Sequence, residues 1–78
     1  MSDDVQIDAR GLQAPEPMEL VLDALARLEP QQRVALLIER EPRPLFRILL
    51  NNGYRYSVEQ DADGIAGLYR VLIWREGG

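Results

Sequence analysis

At 78 residues the chain has the length of one small domain, which buries only about 60% of the surface its unfolded form exposes and gains little stability alone. Hydrophobic residues make up 46% and charged residues 28%, too apolar for a disordered chain, and no run approaches the roughly 18 apolar residues of a membrane-spanning helix. A net charge of -4 repels phosphate and argues against nucleic acid as a partner, while the absence of cysteine excludes disulfides and thiol chemistry.

Along the chain, Val5 and Ile7 alternate with Gln6 and Asp8, which predicts a first strand with one buried face. Gly11 interrupts the pattern. Pro15 and Pro17 then stand where a helix tolerates proline, in its first turn. Met18, Val21, Leu22, Leu25 and Leu28 follow at three- and four-residue steps, predicting a helix over Pro15 to Leu28. Pro30 ends it, and the apolar run Arg33-Val-Ala-Leu-Leu-Ile-Glu39 reads as an inner strand covered on both faces. Arg40-Glu-Pro-Arg-Pro44 repeats the Pro-x-Pro start before a second helix through Leu50. Asn51-Asn-Gly53 closes that helix, because these residues accept the left-handed conformation of a helix C-terminus. Tyr54 to Glu59 and Leu68 to Trp74 form a closing hairpin across the acidic, glycine-bearing connection Gln60 to Gly67. The order β-α-β-α-β-β predicts an α+β fold. It is a two-layer α/β sandwich in which two helices lie on one face of a four-stranded mixed sheet. A single domain spans 1–78, with its ordered core over about 4–75.

The loop Asp8-Ala-Arg-Gly-Leu-Gln-Ala-Pro-Glu-Pro17 resembles the active-site loop of the TusA/SirA sulfur-carrier family, which reads in outline Asp-x-Arg-Gly-Leu-x-Cys-Pro-x-Pro. Ala14 stands in the cysteine's place. The resemblance runs from Val5 to about Arg75 and implies the same β-α-β-α-β-β fold. The second segment, Glu41-Pro-Arg-Pro-Leu45, is similar to a cysteine-less branch of that family known as domain of unknown function 2249. Members of that branch often carry a histidine where Arg40 stands, so no proton or metal role transfers to this position. By analogy with the family, the resemblance also implies a setting beside sulfur, redox or respiratory metabolism.

A thiol at a helix N-terminus is activated by the helix dipole, and Ala14 keeps that geometry while deleting the chemistry. The chain has no histidine and only two serines, so neither general-base nor nucleophilic catalysis has an evident carrier. The expectation is a protein that is not an enzyme and uses no cofactor. Asp61-Ala-Asp-Gly64 begins like a calcium loop. The twelfth position counted from Asp61 is Leu72, however, where a glutamate is required, so the segment reads as a turn and no metal is expected.

Two surfaces remain for recognition. Arg10, Gly11, Ala14, Glu16, Arg40 and Arg43 flank the two helix starts and make up a candidate site for a small anion. Against that reading, Asp8, Glu16 and Glu41 are at hand to neutralise Arg10 and Arg43 as local salt bridges. The last strand offers Leu68, Arg70, Leu72 and Trp74 on the parity opposite Tyr69, Val71 and Ile73. Apolar residues on both sides of a sheet covered on one predict an interface for a protein partner, most simply a homodimer through the open sheet face. The leading expectation is thus a non-catalytic cytoplasmic interaction or adaptor module. The alternative is a sensor of small anionic ligands at the loops before the helices, and RNA binding ranks below both because the charge has the wrong sign.

Overall fold

The computed structural model describes residues 4–77. Strand β1 (Val5–Asp8) leads into helix α1 (Glu16–Ala26), strand β2 (Val34–Ile38), helix α2 (Arg43–Asn51), strand β3 (Tyr54–Gln60), a short 3-10 turn (Ala62–Gly64) and strand β4 (Tyr69–Arg75). The sheet order is β1-β2-β4-β3. β1 runs parallel to β2 and the other two pairings are antiparallel, so the predicted four-stranded mixed sheet with two helices is the observed one. No helix among the described residues is long and apolar enough to cross a membrane.

Alternation decides the faces. Val34 and Leu36 of β2, with Val71 and Ile73 of β4, point to the helix side and are fully buried against Val21 and Leu25 of α1 and Leu45 and Leu49 of α2. Phe46 of α2 stacks on Tyr56 of β3 at 4.2 Å between ring centroids, fixing α2 over the far strand. Helix α1 is shorter than expected at both ends. Pro15 is its N-cap rather than its first residue, and at the other end the Arg27 and Leu28 amides bond to Ala24 and Leu25, tightening the last turn so that it stops before Leu28. Helix α2 ends as expected, with Asn52 as C-cap and Gly53 at φ +83°.

The hairpin connection departs from a plain loop. Asp61 and Asp63 both adopt positive φ, and the 3-10 turn folds back so that Ala62 donates its amide to the Leu68 carbonyl at 2.8 Å. The Asp61 carboxylate accepts the Gly67 amide, which pins the turn in place. Leu68 consequently lies 2% exposed beneath its own connection and is inaccessible to any partner. This corrects its inclusion in the expected interface: Leu68 lies before the first residue of β4, and strand parity gave no sign that its side chain is buried.

Candidate functional site

The carboxyl ends of β1 and β2 open into the two loops that precede the helices, and these loops face each other. Ala9 donates its amide to the Leu37 carbonyl at 2.8 Å, carrying the β1–β2 pairing one step beyond the strand. Gly11 then turns the chain at φ +79°, and its amide donates to the Glu39 carboxylate at 2.8 Å across the gap between the loops. A side chain at that φ is strained whatever space surrounds it, which explains why glycine stands there.

Between the loops lies a cleft of about 770 Å³, a size suited to a small organic ligand. Its walls come from Gly11, Leu12, Ala14, Pro15, Pro17 and Met18 on one side and from Ile38, Glu39, Arg40, Pro42, Pro44 and Leu45 on the other, with Leu36 of β2 at its base. The lining is chiefly apolar. A second hollow of about 410 Å³ opens between the helices near their other ends, where Asn52 and Tyr54 bring the only side-chain polar groups, too few to orient a ligand firmly.

Of the expected ligand residues, Gly11, Ala14 and Arg40 line the cleft, whereas Arg10, Glu16 and Arg43 do not. Arg10 turns back onto Asp8 through a bidentate contact at 2.7 and 2.9 Å, and Arg43 onto Glu41 at 3.3 Å. Two of the three arginines are thus neutralised by acids two positions earlier. Arg40 makes no ion pair among the described residues and is exposed at the rim. Sequence reasoning missed Met18, Ile38 and Leu45 as site residues because their helical and strand periodicity marked them as core. They are core residues that also face the cleft.

The helix starts offer few donors to an anion. Pro17 and Pro44 have no N–H, while the amides of Glu16, Arg43 and Leu45 donate to Gln13, Glu41 and Pro42 carbonyls. Only Met18 N–H in the first turn of α1 lacks a backbone acceptor among the described residues. Neither helix has a side-chain cap. The arrangement therefore favours shape and apolar contact over charge recognition.

The Arg10 side chain, and then its amide, hold the Asp8 carboxyl at a pKa of about 2, below its ordinary 3.8, and the same contact raises the Arg10 guanidinium. A depressed carboxylate contributes stability in full above its unfolded pKa and loses it as pH falls through the folded one. We therefore expect Asp8→Asn to leave the melting temperature changed at pH 5 and to converge on the native chain as pH drops from 3.8 toward 2, measured by differential scanning fluorimetry. The shift is small because both side chains are about half exposed, and equal melting curves at every pH would dismiss the contact as unimportant.

Comparison with known proteins agrees with this fold. The chain is similar to a crystal structure of a SirA-like protein from Desulfitobacterium hafniense, with 26% sequence identity, a TM-score of 0.75, and coverage of 88% of this chain and 93% of that one. No curated protein matches the chain. A family model described as uncharacterized conserved protein (DUF2249) matches residues 6–75, from β1 to the end of β4. On that match and its SirA-like architecture, this chain belongs to the DUF2249 family.

Proposed function

We propose that the chain is a non-catalytic cytoplasmic recognition domain that binds a small, chiefly apolar molecule between the loops at Gly11–Met18 and Glu39–Leu45. The observation that carries this reading is the cleft of about 770 Å³, lined by Ala14, which by the loop resemblance stands in the place of the carrier cysteine, and by Met18, Ile38 and Leu45. Its chemistry refines the expected anion sensor. Arg10 and Arg43 are already paired, so of these three arginines it is Arg40, without an ion-pair partner among the described residues, that can meet one acidic group on an otherwise apolar ligand. The absence of cysteine and histidine supports recognition without turnover.

Ala14→Phe tests the reading, because Ala14 is exposed on the cleft wall and a phenyl ring there fills the cavity without entering the core. With aromatic and branched-chain carboxylates as probes, the native chain should show shifted amide resonances over Gly11–Met18 and a raised melting temperature. Ala14→Phe should lose at least about tenfold in affinity, and Arg40→Gln less. Inorganic phosphate should bind neither. Phosphate shifting the same amides as strongly as the apolar acids would sink the proposal in favour of an anion site.

A second reading, the adaptor, rests on the open sheet face. Ala35, Leu37, Leu72 and Trp74 share that face by register and parity, Leu37, Leu72 and Trp74 being half-buried. Arg70, held by both Asp63 and Glu59 at 2.9 Å, borders them. Trp74→Ala should abolish capture of a protein partner by the purified domain if this face binds one. Capture unchanged by the substitution would rule the face out.

A further inference from the structure

We infer that the free edge of β3 is a self-pairing surface, at which a second copy of this chain adds its own β3 antiparallel about a twofold axis through Ser57. The hydrogen-bonding phase of the strand makes this possible. Glu76 N–H donates to the Gly53 carbonyl at 2.8 Å, and the antiparallel register continues from Tyr54 opposite Arg75 to Gln60 opposite Tyr69. Bonded pairs alternate in such a ladder, so odd-numbered residues turn their peptide groups toward β4, while Tyr54, Tyr56, Val58 and Gln60 turn theirs outward. Among the described residues, no strand pairs with that outer side.

The strand is its own complement. Tyr54–Gln60 is seven residues long with Ser57 at the middle, and rotation about Ser57 sets Arg55 opposite the partner's Glu59, Tyr56 opposite the partner's Val58 and Tyr54 opposite the partner's Gln60. The outward peptide groups of Tyr56 and Val58 then exchange hydrogen bonds, while Arg55 and Glu59 fall on the non-bonded pairs, where side chains approach most closely. Arg55 and Glu59, which within the chain also hold Glu76 and Arg70 at 2.7 and 2.9 Å, thus bring opposite charges together on the open face, and an aromatic meets a β-branched residue on the helix face. The seam is locally neutral, so the net charge of -4 on each copy is not concentrated there.

Exposure supports the same surface. Val58 is 36% exposed on the helix side of the sheet, and Leu50, one helical turn beyond Phe46 and so on the same flank of α2, is 53% exposed. β3 also lacks several defences of an edge strand: it has no proline, no lysine and no interruption of register, and its two charges, Arg55 and Glu59, are of opposite sign at mirror positions. β1, the opposite edge, is only four residues long, and its mirror positions offer no oppositely charged pair. Pairing through β3 leaves both the cleft and the open sheet face free.

Sedimentation equilibrium of the native chain should show a monomer–dimer equilibrium; a monomer up to about 1 mM overturns the proposal. Val58→Pro removes one outward N–H and no hydrogen bond to β4, so it should keep the circular dichroism spectrum and weaken association at least about tenfold. A dimer that survives Val58→Pro uses another surface and refutes the edge. Arg55→Glu and Glu59→Arg provide a test independent of proline. Each variant alone sets like charges across the axis and should be monomeric, whereas their equimolar mixture restores both opposite pairs and should form a heterodimer at least about tenfold tighter than either homodimer. A mixture no tighter than its components overturns the proposal, and this arm decides the matter should Val58→Pro fail to fold.

Discussion

Leu36→Ala is expected to remove about 2–5 kcal/mol of stability, the range for truncating a buried leucine in a core that relaxes only partly. Leu36 is fully buried in the middle of β2, with strands on both sides and both helices above it. At roughly 0.05–0.15 kcal/mol per residue, a 78-residue chain has only about 4–12 kcal/mol in all, so this one change takes a large share of the total. Urea unfolding followed by circular dichroism should show the midpoint falling by about half, with the slope retained. Leu22→Ala, at a position 40% exposed on α1, should cost under about 1 kcal/mol. Similar losses from both would mean that the division between core and surface drawn here is wrong.

Gly11→Val should have the second largest effect, costing about 1–3 kcal/mol, because a β-branched residue is forced to a positive φ of 79°. The penalty comes from the backbone alone, since no atom lies within 4 Å of where a Cβ would stand. Relief requires the peptide to rotate, which turns the Gly11 amide away from Glu39 and opens the loop that walls the cleft. The expected result is a lowered melting temperature together with faster amide exchange over Gly11–Leu12. Gly11→Asn should lose less, because asparagine tolerates the left-handed region. Equal losses for the two would point to side-chain contact rather than backbone conformation as the cause.

The architecture was legible because its signals were local. Pro-x-Pro marked both helix starts, Asn51-Asn-Gly53 marked the second helix end, and alternation in Tyr54–Glu59 marked the hairpin, each a backbone constraint carried by adjacent residues. The placement of Gly11, Ala14 and Arg40 around one space followed from the same reasoning, since both loops leave neighbouring parallel strands on the same edge of the sheet. What escaped was non-local. The segment from Asp61 to Gly64 reads as a turn, but its form, with two aspartates at positive φ and Asp63 returning onto Arg70, is one that periodicity does not encode. The state of the arginines was half visible. Asp8 and Glu41, two positions before Arg10 and Arg43, were recognised as candidate partners, and only the side-chain geometry decided that they are the actual ones.

Those short-range pairings have a mechanical consequence. A guanidinium satisfied by an acid two residues away cannot brace the opposite segment, so among the described side chains only Glu39, through its hold on Gly11, ties the two lips of the cleft. A mouth fastened at a single stitch widens or narrows at little cost in free energy, whereas its floor is set rigidly by the sheet. On the proposed reading of the cleft, such a mouth admits a range of related molecules, graded by how well each fills the base, instead of demanding one outline.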